Sequence, residues 1–391
     1  MASDSGIKKQ IKDLRFVKVL QKSTLYARLR AQLPGGLNGH AIDDRGQYPA
    51  GQDILIDWPA DLPKPRVAVM KDFDPYPRWT KYIHFLETNG FPYGLFDLHA
   101  QDWLEQARHY DVFIGLIDCE LSLLMEMRKK FFILERYMGK ICYPSWEHVT
   151  IYEDKTLESY ISEITGIPFA KAHISHNEAD ALAMIETLSY PTISKFETSS
   201  GSMGVELVHS KGEAERIVRK SFSVSGRASH LLYHREKNYC YFQDFIPNDG
   251  YDIRCIVVDN MVFGYYRKVL EGDFRASGMN LVEKRDLPEE AIRIAWRASK
   301  VLKSPLMVVD MMHGLDGQYY VIEYSINCQM ETPEQLHVDG QPGVYIIDED
   351  ESIHFQPGRY WVHELALRQF FIQDYLPRHV QPEAMKVVGY E

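Results

Sequence analysis

Three groups of residues have side-chain types and spacing suited to work on a phosphorylated ligand. The first is Lys195 followed by the small-residue run Glu197-Thr198-Ser199-Ser200-Gly201-Ser202-Met203-Gly204-Val205. Small residues let backbone N–H groups approach phosphate oxygens, and a lysine ending the preceding strand neutralises their charge. The run matches neither GxxxxGK[ST] nor GxGxxG, so taken alone it is better explained as a flexible hairpin. The second group is Asp310 and Glu323, which a hairpin would bring together. Hard oxygen ligands suit Mg²⁺ bridging nucleotide phosphates, and Ser325 or Asn327 would add neutral oxygen. Surface carboxylates beside a turn are the competing explanation. His313 has no tight ligand cluster around it, which disfavours a transition metal. The third group is Gln243-Asp-Phe-Ile-Pro-Asn-Asp-Gly-Tyr-Asp252-Ile-Arg254 with the basic series Arg267, Lys268 and Arg275. An apolar strand edge can hydrogen-bond adenine through its backbone, an acidic residue can receive ribose hydroxyls, and arginines bind phosphate or carboxylate bidentately. Strand-and-loop structure accounts for either segment separately and poorly for their joint order.

The elements that must position these residues follow from hydrophobic period. A helix is expected around Asp13 to Gln32, then a glycine-rich polar stretch before ILIDW. RVAVM, FPYGLFDL and YDVFIGLI read as strands separated by helices over TKYIHFLETNG and Ala100 to His109, an open α/β pattern. ELSLLMEMRKKFFILERYMG is helix-like. PFAKAHI, YPTISKF, VELVHS, NYCYFQDFI and DIRCIVVDN read as strands, with helices over NEADALAMIETLS and GEAERIVRKSF. LPEEAIRIAWRASKVLKSP is an amphipathic helix before the strand LMVVDMM and the hairpin arm DGQYYVIEYSIN. Residues 333–391 show no clear motif beyond a closing helix over VHELALRQFFIQDYL.

Composition bounds the rest. A chain of 391 residues is long enough for two or three domains and needs no disulfide or zinc staple. With 44 basic against 55 acidic side chains its net charge is −11, which disfavours a general nucleic-acid binder but permits a local basic pocket. Cys119, Cys142, Cys240, Cys255 and Cys328 form no CxxC pair and read as core thiols, with a catalytic cysteine or a disulfide as the alternatives, which favours a reducing compartment. No run of 18 apolar residues and no signal-peptide pattern is present, so the default location is cytoplasmic, with neither membrane nor nucleic acid as partner.

The ordered series Lys155, Lys195, the small-residue loop, QDFIPNDGYDIR, Arg267, DFRASG, Asp310 and Glu323 resembles the ATP-grasp superfamily. The nearest pattern is that of its ribosomal-protein-S6-modifying and glutathione-synthetase-like ligases, over about residues 150 to 330. The resemblance implies a mixed α/β and α+β chain: an ATP-grasp fold with an N-terminal open α/β domain and nucleotide held between two α+β lobes. The implied division is an extension at 1–65, a pre-ATP-grasp-like domain at 66–149, a central lobe at 150–240, a C-terminal lobe at 241–332 and a closing segment at 333–391. Lys155 and Lys195 match lysines that contact nucleotide phosphates, and Ser200, Gly201, Ser202, Met203 and Gly204 match the covering loop. Gln243, Asp244, Phe245 and Ile246 match the adenine hinge, and Asp252 the ribose position. Arg267 and Arg275 match basic residues near the transferring phosphate or substrate carboxylate, and with Lys195 are the catalytic candidates. Asp310 and Glu323 match magnesium ligands. Where the family has glutamate, any residue, then asparagine, this chain reads Glu323-Tyr324-Ser325, so Ser325 or Asn327 would supply the remaining oxygen.

The implied activity is ATP-dependent amide-bond formation between a carboxylate and an amine through an acylphosphate, with ATP and Mg²⁺ as cofactors. The implied partners are an amino-acid, peptide or other small carboxylate and an amine acceptor. A phosphotransferase acting on a hydroxyl is the alternative, and a nucleotide-binding regulator without turnover is a third. Oligomeric state is left open, with a homodimer among the arrangements allowed.

Overall fold

The computed structural model describes residues 41–115, 120–198, 204–229, 234–269 and 281–380. Two compact units divide the chain: one comprises Met1–Gly39 with Ala170–Phe245, the other His40–Phe169 with Ile246–Glu391. The helix expected over Asp13 to Gln32 lies outside the described residues.

The second unit begins with an α/β layer: β1 (Val67–Met70), α1 (Trp79–Thr88), β2 (Tyr93–Phe96), α2 (Trp103–Ala107), β3 (Val112–Ile114), α3 (Leu121–Arg136) and β4 (Ile141–Tyr143). The strands are all parallel in the order β2-β1-β3-β4. Every residue of VAVM, VFI and ICY is buried, as a sheet covered on both faces requires. The strand-helix alternation is as expected from the sequence, with α2 shorter than the Ala100 to His109 pattern implied. Two helices follow, α4 (Trp146–Ile151) and α5 (Lys155–Thr165). Asp154 caps α5 by accepting from the Leu157 N–H at 2.9 Å, and Gly166 ends it at φ +73°. That cap fixes where Lys155 enters its helix.

The first unit carries β5 (Ala172–Ser175), α6 (Glu178–Met184), β6 (Thr192–Lys195), β7 (Val205–Val208), α7 (Lys211–Ser221), the short ribbon β8 (Arg227–Ala228) and β9 (Arg235–Glu236), and β10 (Cys240–Asp244). Its antiparallel sheet runs β5-β10-β6-β7. Ala181 and Ile185 on and beside α6, and Ala214 and Val218 of α7, pack on Val208, Cys240 and Phe242 of the sheet.

The chain returns to the second unit with β11 (Asn248–Val258), β12 (Met261–Lys268), β13 (Val282–Glu283), α8 (Glu289–Leu302), β14 (Met307–Gly314), β15 (Tyr319–Ser325), β16 (Leu336–Val338), β17 (Gln341–Ile347) and β18 (Ile353–Pro357). It closes with α9 (Val362–Phe370), a π turn (Phe371–Tyr375) and α10 (Leu376–Val380). The sheet order is β15-β14-β11-β12-β17-β16, with β13 on β12 and β18 on β17. Three strands thus occupy a stretch with no clear sequence motif: short, half-exposed segments carry little alternation to read. Along β11 the period of two separates the faces. Ile253, Cys255 and Val257 join the cluster that contains Ala291, Ala295 and Ala298 of α8, whereas Ile256 and Val258 join the one that contains α9 and α1 side chains. Cys142, Cys240, Cys255 and Cys328 are free and buried, and Cys119 lies outside the described residues. Among the described residues no helix is long and apolar enough to cross a membrane.

β12 passes close to β11 at Gly264, where an added Cβ would lie 2.3 Å from the Arg254 carbonyl oxygen. Backbone cannot yield there as a flexible side chain would. Gly264→Ala is therefore expected to destabilise the chain by about 1–3 kcal/mol in urea unfolding; an unchanged midpoint would show that the strands are not held at this spacing.

Candidate active site

One face of the second unit's sheet gathers charge. Asp252 and Arg254 alternate on β11 and so point the same way. Arg267 of β12 stands opposite Asp252, and Asp310 of β14 stands opposite Arg254. Arg254 clasps Asp310 in a fork, Nε to Oδ1 and Nη2 to Oδ2, both at 2.7 Å. Arg267 clasps Asp252 likewise at 2.7 and 2.6 Å, and its Nη2 also lies 2.8 Å from Asp310 Oδ2. The four groups form one alternating chain, with Asp252, Arg267 and Asp310 buried. Bidentate geometry is what makes such burial tolerable. Burial by itself would raise the Asp310 carboxyl, but Arg254 and Arg267 together hold it well below the usual carboxylate range. Burial raises Asp252 despite the pull of Arg267.

Glu323 of β15 faces Asp310 in register, followed by a bulge on that edge, so the hairpin does bring the two carboxylates side by side. Lys155 Nζ lies 3.3 Å from Glu323 Oε1. Burial opposes the Lys155 charge, but Glu323, Glu153 and Glu158 raise it above the ordinary lysine value. Glu158 is raised well above the carboxylate range by burial and by Glu323, and Glu153 is pushed up to about 7 mainly by burial. Ser325 follows on the same strand; its hydroxyl donates to the Asn327 carbonyl at 2.9 Å and accepts from the Asn327 N–H at 3.2 Å.

In the first unit, Lys195 ends β6 and is buried. Phe196 N–H donates to the Gly204 carbonyl at 3.1 Å. Gly204 adopts φ +75°, and a Cβ there would lie 2.2 Å from Phe196 Cδ2, so this end of the run admits glycine alone. Ser200, Gly201, Ser202 and Met203 lie outside the described residues, as does Arg275. Gln243 is buried and donates to the Ala170 carbonyl at 3.1 Å, while its own carbonyl accepts from Thr192 Oγ1 at 2.8 Å. Asp244 pairs with His173 at 2.8 Å, and Phe245 is half-buried. Ile246 opens the return to the second unit and accepts from Asn248 Nδ2 at 2.8 Å.

Sequence reasoning named Asp252, Arg267, Asp310, Glu323 and Lys155 but gave no role to Arg254, Glu153 or Glu158. The spacing Asp252-x-Arg254 on a strand was the available signal for Arg254, since it puts both side chains on one face. Glu153 gave none, because its burial depends on a left-handed residue at φ 58°.

Comparison with known proteins bears directly on this arrangement. Residues 153–340 match the family model described as the RimK-like ATP-grasp domain. The chain contains an ATP-grasp domain. Over 229 residues it is 27% identical to the probable alpha-L-glutamate ligase of Haemophilus influenzae (strain PittEE), covering 56% of this chain and 67% of that protein. Over 158 residues it is 29% identical to the coenzyme gamma-F420-2:alpha-L-glutamate ligase of Methanocaldococcus jannaschii, covering 39% of this chain and 50% of that protein. The chain thus spans between half and two thirds of the length of these curated relatives. The crystal structure of D-cycloserine synthetase DcsG is similar in fold, with a TM-score of 0.51 at 14% identity over 68% of this chain and 92% of that one. The ATP-grasp domain therefore takes in all of the first unit's sheet and the charged face of the second.

Within this domain the Asp310 carboxylate contributes stability that is complete above the ordinary aspartate value of 3.8 and is lost as pH falls below it toward the depressed value of the folded chain. Asp310→Asn is expected to cost about 3–5 kcal/mol at neutral pH in urea unfolding, with the deficit narrowing below about pH 4. A deficit that stayed constant through that range would remove the ion pair as its source.

Proposed function

We propose that the chain is an ATP-dependent ligase that joins a carboxylate to an amine. The observation that carries the reading is the sheet face on which Glu323, Asp310, Arg254, Asp252 and Arg267 stand on four adjacent strands inside a RimK-like domain. The substrate carboxylate attacks the γ-phosphate of ATP and gives an acylphosphate and ADP. The amine then attacks the activated carbonyl, forming the amide and releasing phosphate. No side-chain nucleophile is needed; Arg267, Arg275 and Lys195 act by neutralising charge on the transferring phosphate. Lys155, Lys195, Gly204 and the backbone of Gln243 to Ile246 are assigned to nucleotide binding.

Asp310 and Glu323 suit Mg²⁺ as hard oxygen donors. Among the described residues Asp310 Oδ1 accepts a single hydrogen bond, and a carboxylate oxygen has two lone-pair sites, so the arginine fork leaves capacity for a cation. Glu323 is about one third exposed, with Lys155 Nζ beside its Oε1. Ser325 and Asn327 are the neutral oxygens at the same strand end. Mg²⁺ held there with ATP would offset the negative charge that collects on the γ-phosphate. Both named relatives are glutamate ligases by name, which supports an amino acid as one of the two molecules joined.

The test is product analysis with ATP, candidate carboxylates and L-glutamate as the first amine. Release of ADP and phosphate is expected to require both acceptors, and a product mass equal to their sum less water is expected. Glu323→Gln should lower kcat by about 10²–10³-fold. Phosphate retained on a hydroxyl product would instead make the protein a phosphotransferase.

A further inference from the structure

We propose that Arg227 is a positioning residue for the phosphate-contacting part of the first unit: it holds together the two strand ends that bear Lys195 and Gly204. This rests on the nucleotide-binding reading above. Arg227 is 7% exposed, on the opposite side of the sheet from Lys195, because Ser194, which it touches, and Lys195 are consecutive residues of one strand. It therefore acts through other residues and not on the nucleotide itself.

One guanidinium reaches both strands. Its Nη1 donates to Ser194 Oγ of β6 at 3.1 Å, and its Nη2 lies 3.3 Å from Glu206 Oε1 of β7. Its Cζ sits 4.5 Å over the ring of Phe196, the residue that follows Lys195. Phe196 in turn bonds Gly204 through its N–H and blocks any side chain there. Glu206 is half-exposed and screened, so the buried contacts to Ser194 and Phe196 carry most of the hold. A second grip comes from the same ribbon. Glu197 N–H donates to the Tyr239 hydroxyl at 2.7 Å, and that hydroxyl donates to Glu236, which pairs with Arg227 across β8 and β9. The β8–β9 ribbon thus fixes residues 194, 196 and 197 on one stem and 204 and 206 on the other. A short ribbon of this kind has little core of its own to form; these contacts give it a role that packing does not.

Such an arrangement governs phosphate binding above adenine binding, because Arg227 bonds Ser194 and Glu206 beside the run and not the hinge residues Gln243 to Ile246. The experiment measures binding of two probes to the full chain, a non-hydrolysable ATP analogue and adenosine, for wild type, Arg227→Gln and Phe196→Leu. Both variants are expected to weaken the triphosphate analogue by about tenfold with adenosine affinity unchanged. Melting curves recorded alongside establish that each variant is folded; should Arg227→Gln fail to fold, Phe196→Leu gives the same reading. Equal losses for both probes, or an unchanged affinity for the analogue, would overturn the positioning role. A wild type that binds neither probe overturns the nucleotide-binding reading itself, and the inference with it.

Discussion

The alternation Arg254–Asp310–Arg267–Asp252 is the constraint on which the second unit depends. A single buried carboxylate or guanidinium at any of these positions would be strongly unfavourable, and only close pairing offsets the loss of water. The four charges therefore require β11, β12 and β14 to keep one register, since a slip of one residue on any strand sends its charge to the face packed against α8. The fork geometry demands more than register. Gly264 lets β12 approach β11 beside Arg254, and the cap at Asp154 sets Lys155 toward Glu323.

What keeps the strands in place is apolar burial on the same elements. On β11 the face that starts with Asp252 and Arg254 continues with Ile256 and Val258, which pack with α9 and α1 side chains. The opposite face, through Ile253, Cys255 and Val257, is apolar along its length and covered by α8. One strand thus supplies site residues at one end and core at the other. The charges are themselves mostly buried, and the hydrophobic end anchors the geometry of the polar end. Four of the charged residues, Asp252, Arg254, Arg267 and Asp310, are thereby tied to interior strands of an extended sheet, with Glu323 on the edge strand beside them.

Much of this was legible in the sequence because it depends on short-range pattern. The strand LMVVDMM is a short apolar run broken only by Asp310, the arm YYVIEYS is rich in aromatic and β-branched residues, and the separation of Asp310 and Glu323 is what a hairpin with a short turn needs to place them opposite each other. The amphipathic stripe of α8 is equally plain, with Ala291, Ile294, Ala295 and Ala298 buried. Arg254 was visible as a residue but not as a partner, because a pairing with Asp310 across 56 positions depends on strand order and not on spacing. β16 to β18 were missed for a related reason. Gln341–Ile347 includes Pro342 and Gly343, both of which weaken a strand reading, and only the neighbouring strands on either side give it a place.

Charge balance in the second unit sharpens the case for a cation. Lys155, Arg254 and Arg267 face Asp252, Asp310 and Glu323, three positive groups against three carboxylates. Glu158 is raised well above the carboxylate range by burial and by Glu323, and Glu153 is pushed up to about 7 mainly by burial; neither lends the set positive charge. Among the described residues this set therefore has no positive excess with which to draw in a triphosphate. A polyanion added to a balanced or slightly negative cluster in a poorly screened site is repelled unless positive charge comes with it. On the proposed reading, ATP would reach this face together with its metal, and the pairing that holds Asp252 and Asp310 in place also sets the Arg267 guanidinium that acts on the transferring phosphate. The paired arginines keep the carboxylates aimed, and on that reading a cation accepted by those carboxylates would add to the attraction that Arg267 offers the phosphate.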